Sequence, residues 1–239
     1  MGCGASSLPL TFESPSNLKP LPVSFGPQFK LPAAANLNVR EKLFSWSGDD
    51  IDIKDINTDT TWFKISAKVF SLKGNKKLLD AAGQEVLQIE SKLLSLRATY
   101  HMYTPAGARV ATIVKRAMAM KPTYLVYLWP PEMGLTRDSP TSFDNHKPAM
   151  FVQGGLFEVE WKFILGSDES QGGGRVDTST MPVCGLANHD WTNFQDLVID
   201  RQMFNLMIMP GVDVAFAVAL LVIIQEQEES ERGSGPALM

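Results

Sequence analysis

Residues 212–224 of this 239-residue chain have the sequence VDVAFAVALLVII. In a helix these apolar side chains would cover every side, and such a helix must be buried in protein or in lipid. A helix that crosses a bilayer needs about 20 apolar residues, and this shorter run also contains Asp213. A short buried strand is the alternative, but Ala215, Ala217 and Ala219 favour a helix around which strands pack closely. The run therefore predicts a helix at about 211–226, with Asp213 in its first turn, enclosed by the rest of the protein.

Short segments that could enclose this helix show apolar and polar side chains in alternation, the pattern of strands with one buried face. In one of them Tyr100 and Met102 are expected to be buried, and His101 exposed. Turn-forming residues separate these segments, including Gly74-Asn75 and Pro105-Ala106-Gly107. The spacing predicts an antiparallel β-sandwich or barrel. The alternating segments are 62–69, 95–102 and 158–165.

Composition excludes several classes of protein. Hydrophobic residues make up 44% and charged residues 20%, which is typical of a globular domain. The net charge of -4 gives no basic field for nucleic acid, so no nucleic-acid partner is expected. Residues 41–120 hold twelve Lys and Arg against nine Asp and Glu, whereas 121–224 hold six against twelve. An anion site is therefore expected in the first half of the folded region.

The cysteines and histidines do not form a recognisable catalytic or metal site. Two cysteines are too few for a disulfide framework or a four-cysteine zinc site, and no metal or cofactor is expected. Cys184 lies near His189-Asp190, but nothing in the spacing holds a thiolate against an oriented imidazole. Gly166–Thr180 is predicted to be a flexible insertion rather than a phosphate-binding loop, because no Gly-Lys-Ser/Thr follows it. The sequence thus predicts a protein that is not an enzyme.

The N-terminus matches a lipidation pattern rather than a secretory signal. Gly2 with Ser6 fits N-myristoylation, and the adjacent Cys3 is a candidate for palmitoylation. Two acyl chains anchor a protein stably, here at the cytoplasmic face of a membrane, with the plasma membrane favoured. An unmodified, disordered N-terminus is the alternative, and it would leave the protein in the cytoplasm or nucleus. Six prolines between residues 8 and 38 favour extended chain, so residues 1–36 are predicted to be a disordered tether.

Several stretches together resemble the LURP-one-related branch of the Tubby C-terminal-like superfamily, which is found mainly in plants. The resemblance implies a mainly β domain over 37–228, an antiparallel β-barrel closed around the hydrophobic C-terminal helix. Residues 229–239, beyond this domain, are predicted to be a disordered tail. Two departures stand out. Gln225-Glu226 replaces an Asp-Glu pair, and 166–189 occupies a region where the family has two regular strands. The matching stretches are 41–50, 53–55, 62–65, 68–72, 92–96 and 210–216.

The resemblance implies recognition rather than catalysis. Tubby proteins bind phosphatidylinositol bisphosphate, other relatives are phospholipid scramblases, and the LURP-one-related branch is linked to plant defence. We therefore expect a membrane-tethered domain, attached by its acylated N-terminus and not by a transmembrane segment, that binds phospholipid or phosphoinositide headgroups or a protein partner. A nuclear, transcription-associated role and a scramblase-like role are the alternatives. The scramblase-like role is disfavoured because the apolar helix is expected to be buried inside the barrel and so not to enter a membrane.

No motif in this chain matches the lipid-binding positions of Tubby proteins, so candidate lipid-binding residues are chosen from the distribution of charge alone. Lys73, Lys76 and Lys77 are predicted to cluster on one turn, and Lys115-Arg116 to end a strand. Each cation near an anionic membrane surface contributes about 1 kcal/mol of attraction. These five residues are the predicted anionic-lipid site, although ordinary solvated surface is the alternative for each of them.

Overall fold

The computed structural model describes residues 21, 23–40, 51–66, 75–92, 97–117, 119, 121–140, 146–155, 160–166, 181–189 and 203–233. These residues form twelve strands and one α-helix, α1, at Val214–Gly233. The strands are β1 Ala35–Arg40, β2 Ile51–Asp55, β3 Thr61–Ser66, β4 Lys76–Asp80, β5 Glu85–Ser91, β6 Thr99–Tyr103, β7 Arg109–Lys115, β8 Thr123–Leu128, β9 Met150–Gly154, β10 Glu160–Leu165, β11 Val183–His189 and β12 Met203–Ile208.

Every strand pairs antiparallel with the next strand along the chain, and β12 pairs with β1 to close the barrel. Across this closure Ala35 lies opposite Ile208, and Val39 lies opposite Phe204. The predicted period-two pattern is confirmed in β3, where Phe63 and Ile65 are buried and their neighbours are not. The predicted antiparallel β-barrel with a C-terminal helix is therefore confirmed.

Helix α1 fills the barrel. All residues from Val214 to Ile224 are buried, with no side chain more than 1% exposed, because the strands surround the helix on every side. The predicted buried helix is thus confirmed. Among the described residues, the structure contains no helix that combines the length and the hydrophobicity required to cross a bilayer.

The ends of α1 define the two ends of the barrel. We call the end where α1 begins, beside Ala35 and Ile208, the entry end. We call the opposite end, where α1 leaves the barrel, the exit end. Because neighbouring strands are antiparallel, the connections that follow odd-numbered strands lie at the exit end. The hairpin between β7 and β8 is one of these.

The N-terminal part of the described chain closes the entry end. The predicted disordered tether at 1–36 is wrong for its last part, because Leu21, Val23 and Phe29 are buried in the core. Pro27–Phe29 forms a short 3-10 helix, and Lys30 makes a β-bridge to Asp213. The prolines do extend the chain, but the apolar residues between them cover the apolar end of the barrel.

Asp213 is the N-cap of α1 rather than a residue of its first turn. Its Oδ1 accepts the Phe216 N–H at 3.0 Å, and its Oδ2 accepts the Phe25 N–H at 2.7 Å. Pro210 and Gly211 make the turn before it, in which Gly211 has φ of 80°, as a turn with glycine at its third position requires. One carboxylate therefore fixes both the start of the helix and the N-terminal segment.

The outer face of β6 is covered, contrary to the prediction that His101 is exposed. All five residues of β6 are buried. The segment that follows β8 lies over part of this strand, since the Arg137 guanidinium stands 4.8 Å from the centre of the Tyr103 ring. Arg109 holds this segment by donating hydrogen bonds to the backbone oxygens of Thr136 and Ser139 at 2.8 and 2.6 Å. Burial, together with the charges of Arg109 and Lys92, lowers the pKa of His101 to about 3.

The second half of the barrel is more regular than the departure at 166–189 suggested. Residues 183–189 form β11, which pairs with both β10 and β12. Gly185 permits close packing there, since a Cβ at this position would lie 2.7 Å from Cδ2 of Phe163. The flexible insertion predicted from Gly166 to Thr180 lies, apart from Gly166, outside the described residues. Stretches 41–50, 67–74 and 93–96 also lie outside them.

Candidate functional site

The exit end gathers charged groups from strands and helix. The last residues of the apolar run are followed by Gln225, Glu226, Gln227 and Glu228, which still lie within or against the barrel. Gln225 is 3% exposed, and no hydrogen-bond partner for its amide lies among the described residues. The sequence alone predicted that α1 ends near residue 226. This is wrong, because strand residues supply partners for the acidic residues that follow.

The first partner is Lys76, which points inward from β4. Its Nζ lies 2.7 Å from Oε2 of Glu226, and the two side chains are only 7% and 15% exposed. An ion pair removed from water to this degree attracts strongly, but each charge also loses its hydration. Lys76 and Glu226 therefore depend on each other more than a surface pair would.

The second partner is Lys115, the last residue of β7. Its Nζ lies 2.9 Å from Oε1 of Glu228 and 2.7 Å from Oε2 of Glu231. The Tyr124 hydroxyl also donates to Oε1 of Glu228, at 2.7 Å. Glu228 is 8% exposed but Glu231 is 50% exposed, so one lysine holds an inner and an outer carboxylate.

The pKa values of Lys115 and Glu231 reflect the contact between them. Burial lowers the pKa of Lys115, but its hydrogen bonds to Glu231 and Glu228 outweigh burial and leave the pKa above its ordinary value. Burial raises the pKa of Glu231, but hydrogen bonds from Lys115 and Gln227 bring it below its ordinary value. Burial, reinforced by the Glu228 charge, raises the pKa of Tyr124. Lys115 and Glu231 therefore both stay charged at neutral pH.

Further cations lie beside this network, in the two neighbouring connections between β5 and β6 and between β7 and β8. No Asp or Glu occurs from residue 91 to residue 131, whereas six Lys and Arg do. Two backbone hydrogen bonds at 3.0 and 2.8 Å join Lys115 to Ala98 and Arg116 to Thr123, so the chain around Arg97, Arg116 and Lys121 converges at the exit end. Arg97 and Lys121 are exposed, and Arg116 is half-buried. We call Arg97, Arg116 and Lys121 the exit rim.

The sequence-predicted cations are arranged differently from the prediction. Lys76 and Lys77 do not share a turn, because they are consecutive in β4 and face opposite sides of the barrel wall. Lys76 pairs with Glu226 inside, and Lys77 pairs with Glu85 outside. Lys73, like Gly2 and Cys3, lies outside the described residues.

The prediction that Lys115 and Arg116 end a strand is confirmed. Binding of anionic lipid by the five candidate cations stays a prediction. Sequence reasoning missed Arg97 and Lys121 as members of the same rim. The signal that could have found them is the absence of acidic residues between Glu90 and Glu132.

Cys184 lacks the environment of a reactive thiol. It is fully buried, and burial raises its pKa to about 12, whereas a nucleophilic cysteine needs a lowered pKa. Cys184 and His189 are five residues apart on β11, a separation of roughly 16 Å along a strand. This pair therefore cannot act as a nucleophile and its base.

Comparison with known families identifies the barrel. The family model for LURP-one-related proteins matches residues 35–225, from the start of β1 to the end of the apolar part of α1. The chain belongs to the LURP-one-related family. The X-ray structure of an Arabidopsis thaliana protein is similar to it, with a TM-score of 0.53 and 19% sequence identity over 87% of this chain and 98% of that chain. At this identity the likeness concerns the fold alone. No curated protein matches this member of the family by sequence.

Proposed function

We propose that this LURP-one-related chain is a non-enzymatic, membrane-tethered recognition domain whose exit rim binds the phosphate groups of anionic phospholipids, including phosphoinositides. Two observations carry the proposal: the run from 91 to 131 is free of acidic residues, and two backbone hydrogen bonds bring the chain around Arg97, Arg116 and Lys121 to one end of the barrel. Arginine and lysine are the side chains that proteins use to bind phosphate.

The charge on the rim is sufficient for a measurable effect. Each cation near an anionic membrane surface contributes about 1 kcal/mol. Three such cations would increase membrane binding about a hundredfold, and salt would weaken the attraction. This is the range in which a second contact, such as an acyl chain, makes attachment stable.

The predicted acyl anchor is compatible with this orientation. Twenty residues precede Leu21, and a chain of that length can reach at most about 70 Å. A six-residue strand is about 20 Å long. An anchor attached to Gly2 and Cys3 can therefore reach a membrane that lies against the exit end, although Leu21 enters at the other end.

Vesicle co-sedimentation of the full, unacylated chain tests the rim. The vesicles contain phosphatidylcholine alone, or phosphatidylcholine with phosphatidylserine or phosphatidylinositol bisphosphate, at low and at physiological salt. We expect salt-sensitive binding only to the anionic vesicles. Charge reversal of the whole exit rim to glutamate is expected to reduce binding at least tenfold.

A matched control changes the net charge equally at another place. Lys54, Arg137 and Lys147 are accessible cations on the entry half of the barrel, away from the exit rim, and their reversal to glutamate should leave most of the binding intact. Equal losses in the two triple variants would mean that only net charge matters. Absence of binding to every vesicle would overturn the proposal.

The acyl anchor is tested separately, in cells. Gly2→Ala removes the myristoylation acceptor and is expected to move the protein from the membrane fraction to the unbound fraction. An unchanged membrane fraction in this variant would eliminate the anchor.

A further inference from the structure

We infer that the acidic end of α1 is a built-in competitor for the ligand of the exit rim: the Glu231 carboxylate occupies Lys115, and a phosphate group that takes Lys115 releases the last turn of the helix. The inference rests on the proposed function, since it concerns regulation of the same site. We call residues 226–233 the acidic tail.

The acidic tail is a poor helix on its own. Glu226, Glu228, Glu229 and Glu231 all lie near the C-terminus of α1, where the helix dipole disfavours negative charge. Glu228 and Glu231 are three residues apart, and like charges at this spacing repel. The tail is nevertheless helical to Gly233. Its conformation therefore depends on cations supplied by the barrel.

The two lysines hold the tail with unequal strength. Glu226 and Glu228 lie in sheltered pairs with Lys76 and Lys115, and Tyr124 adds a hydrogen bond to Glu228. Glu231 is half-exposed, and the hydrogen bond that it accepts from Gln227 is exposed as well. Exposed ion pairs contribute at most about 1 kcal/mol. The Glu231 contact is thus the one that exchanges most readily.

A phosphate group is suited to replace Glu231. A phosphate monoester carries about -1.5 to -2 charge and three acceptor oxygens, whereas a carboxylate carries a single charge and two oxygens. Arg116 follows Lys115 just beyond the end of β7, so a phosphate at Lys115 lies at the same end of the barrel as the rim. The Lys115 ammonium has three N–H donors, so it can keep Glu228 while it exchanges Glu231 for phosphate.

Because phosphate and the acidic tail compete for Lys115, the competition can be measured either as phosphate binding or as release of the tail. If phosphate binding releases the tail, then weakening the tail must strengthen phosphate binding by the same factor. We expect Glu231→Gln, which removes the charge but keeps a side chain of the same shape, to strengthen vesicle binding about two- to fivefold. Asp59→Asn removes a carboxylate from another exposed pair, with Lys54 at the entry end, and is the matched control expected to leave binding unchanged.

Release of the tail is followed directly with a spin label. A cysteine is introduced at the exposed Ser230 in a full-length Cys3→Ser background, where Cys184 is buried. The label is expected to be immobile in the free protein and mobile after addition of phosphatidylcholine vesicles containing phosphatidylinositol bisphosphate. Soluble inositol trisphosphate forms a second arm. Release by it as well means that phosphate groups suffice, and release by vesicles only means that the bilayer surface is required.

The outcomes separate this inference from the proposed function. Tighter binding of Glu231→Gln together with ligand-induced mobility supports the inference. Rim-dependent vesicle binding with unchanged affinity in Glu231→Gln and an immobile label overturns the inference and leaves the proposed function standing. Absence of binding to every vesicle overturns both.

Discussion

The two ends of the barrel hold the same helix by different physical means. At the entry end the Asp213 carboxylate, in a buried setting, accepts backbone N–H groups from Phe25 and Phe216. At the exit end the partners are side chains, with Lys115 binding Glu228 and Glu231. A carboxylate at a helix N-terminus agrees with the helix dipole, whereas carboxylates at a C-terminus oppose it.

This difference shows which end is fixed and which can respond. The entry end is covered by apolar side chains, including the buried Leu21 and Phe29, and its hydrogen bonds run to backbone. The exit end holds the acidic part of the helix through lysine charges that the barrel supplies, and one of the carboxylates that they bind, Glu231, is half-exposed. A ligand that competes for those charges acts at the exit end and leaves the entry end unchanged.

The largest effect is expected from a variant that disrupts α1, the element that the two ends share. Leu220 is fully buried in α1, and Leu220→Asp places an unpaired charge in the core. We expect loss of cooperative folding, measured by thermal unfolding followed by circular dichroism. Leu220→Met, which nearly conserves volume, should cost less than about 1.5 kcal/mol. A cooperative transition of Leu220→Asp at the wild-type temperature would contradict the buried helix.

The next largest effect is expected from a variant that breaks the Lys115–Glu228 ion pair at the exit end. Lys115→Met leaves Glu228, which is 8% exposed, with the Tyr124 hydroxyl as its one remaining partner among the described residues. Breaking a sheltered ion pair from one side costs about 3 kcal/mol, measured by urea unfolding. The double variant Lys115→Met with Glu228→Gln should recover most of that loss. Equal stability of single variant and wild type would show that the pair is not sheltered.

A smaller effect is expected at the entry end. Asp213→Ala deprives the N–H groups of Phe25 and Phe216 of their acceptor, and loss of such a cap costs about 2 kcal/mol. Asp213→Asn keeps one acceptor oxygen and should lose less. Hydrogen exchange should show faster exchange at Phe25 in the alanine variant, with the acidic tail unaffected. Equal loosening of the two ends would mean that they are coupled through α1.

The smallest effect is a difference in pH dependence. The pKa of Glu231 lies below its ordinary value of 4.5, so its contribution to stability is present above pH 4.5 and is lost as the pH falls through the lower, folded value. Burial leaves the pKa of Asp213 above its ordinary value of 3.8, despite hydrogen bonds from Phe25 and Phe216. Its contribution therefore has the opposite sign and is greatest in acid.

Acidification should accordingly loosen the exit end first. The spin label at position 230 is expected to become mobile below about pH 4.5, while the entry end, followed by hydrogen exchange at Phe25, stays protected. Glu231→Gln should remove most of the acid response at position 230. Simultaneous loosening of both ends in acid would contradict the opposite signs.

Local sequence patterns predicted the elements whose burial depends least on contacts with distant parts of the chain. The buried part of α1 was predictable because a helix apolar on every side has no stable place except an enclosed one. The alternation in β3 was predictable for a similar reason, since one face of the strand packs on the core. In β6 the same reasoning failed, because a segment held by Arg109 lies over part of the outer face.

The candidate site was only partly predictable. Lys115 and Arg116 were recognised as cations at a strand end, and the structure places them there. The partner of Lys115, however, is 113 residues away in the sequence, and no local pattern reports such a contact. Lys76 and Lys77 were grouped because they are adjacent in the chain, whereas a strand directs adjacent side chains to opposite faces.

The sequence by itself determined that this chain encloses an apolar C-terminal helix in antiparallel β-structure, because periodicity and hydrophobicity are properties of neighbouring residues. The closed barrel was implied only by the family resemblance. The sequence also determined that one continuous stretch, 91–131, carries only positive charge. Only the tertiary structure decided that the N-terminal segment closes the entry end and that the acidic tail is helical to Gly233. The physical reason is that burial and ion pairing join groups far apart in the chain, and their free energy outweighs the local preference for extended or unfolded backbone.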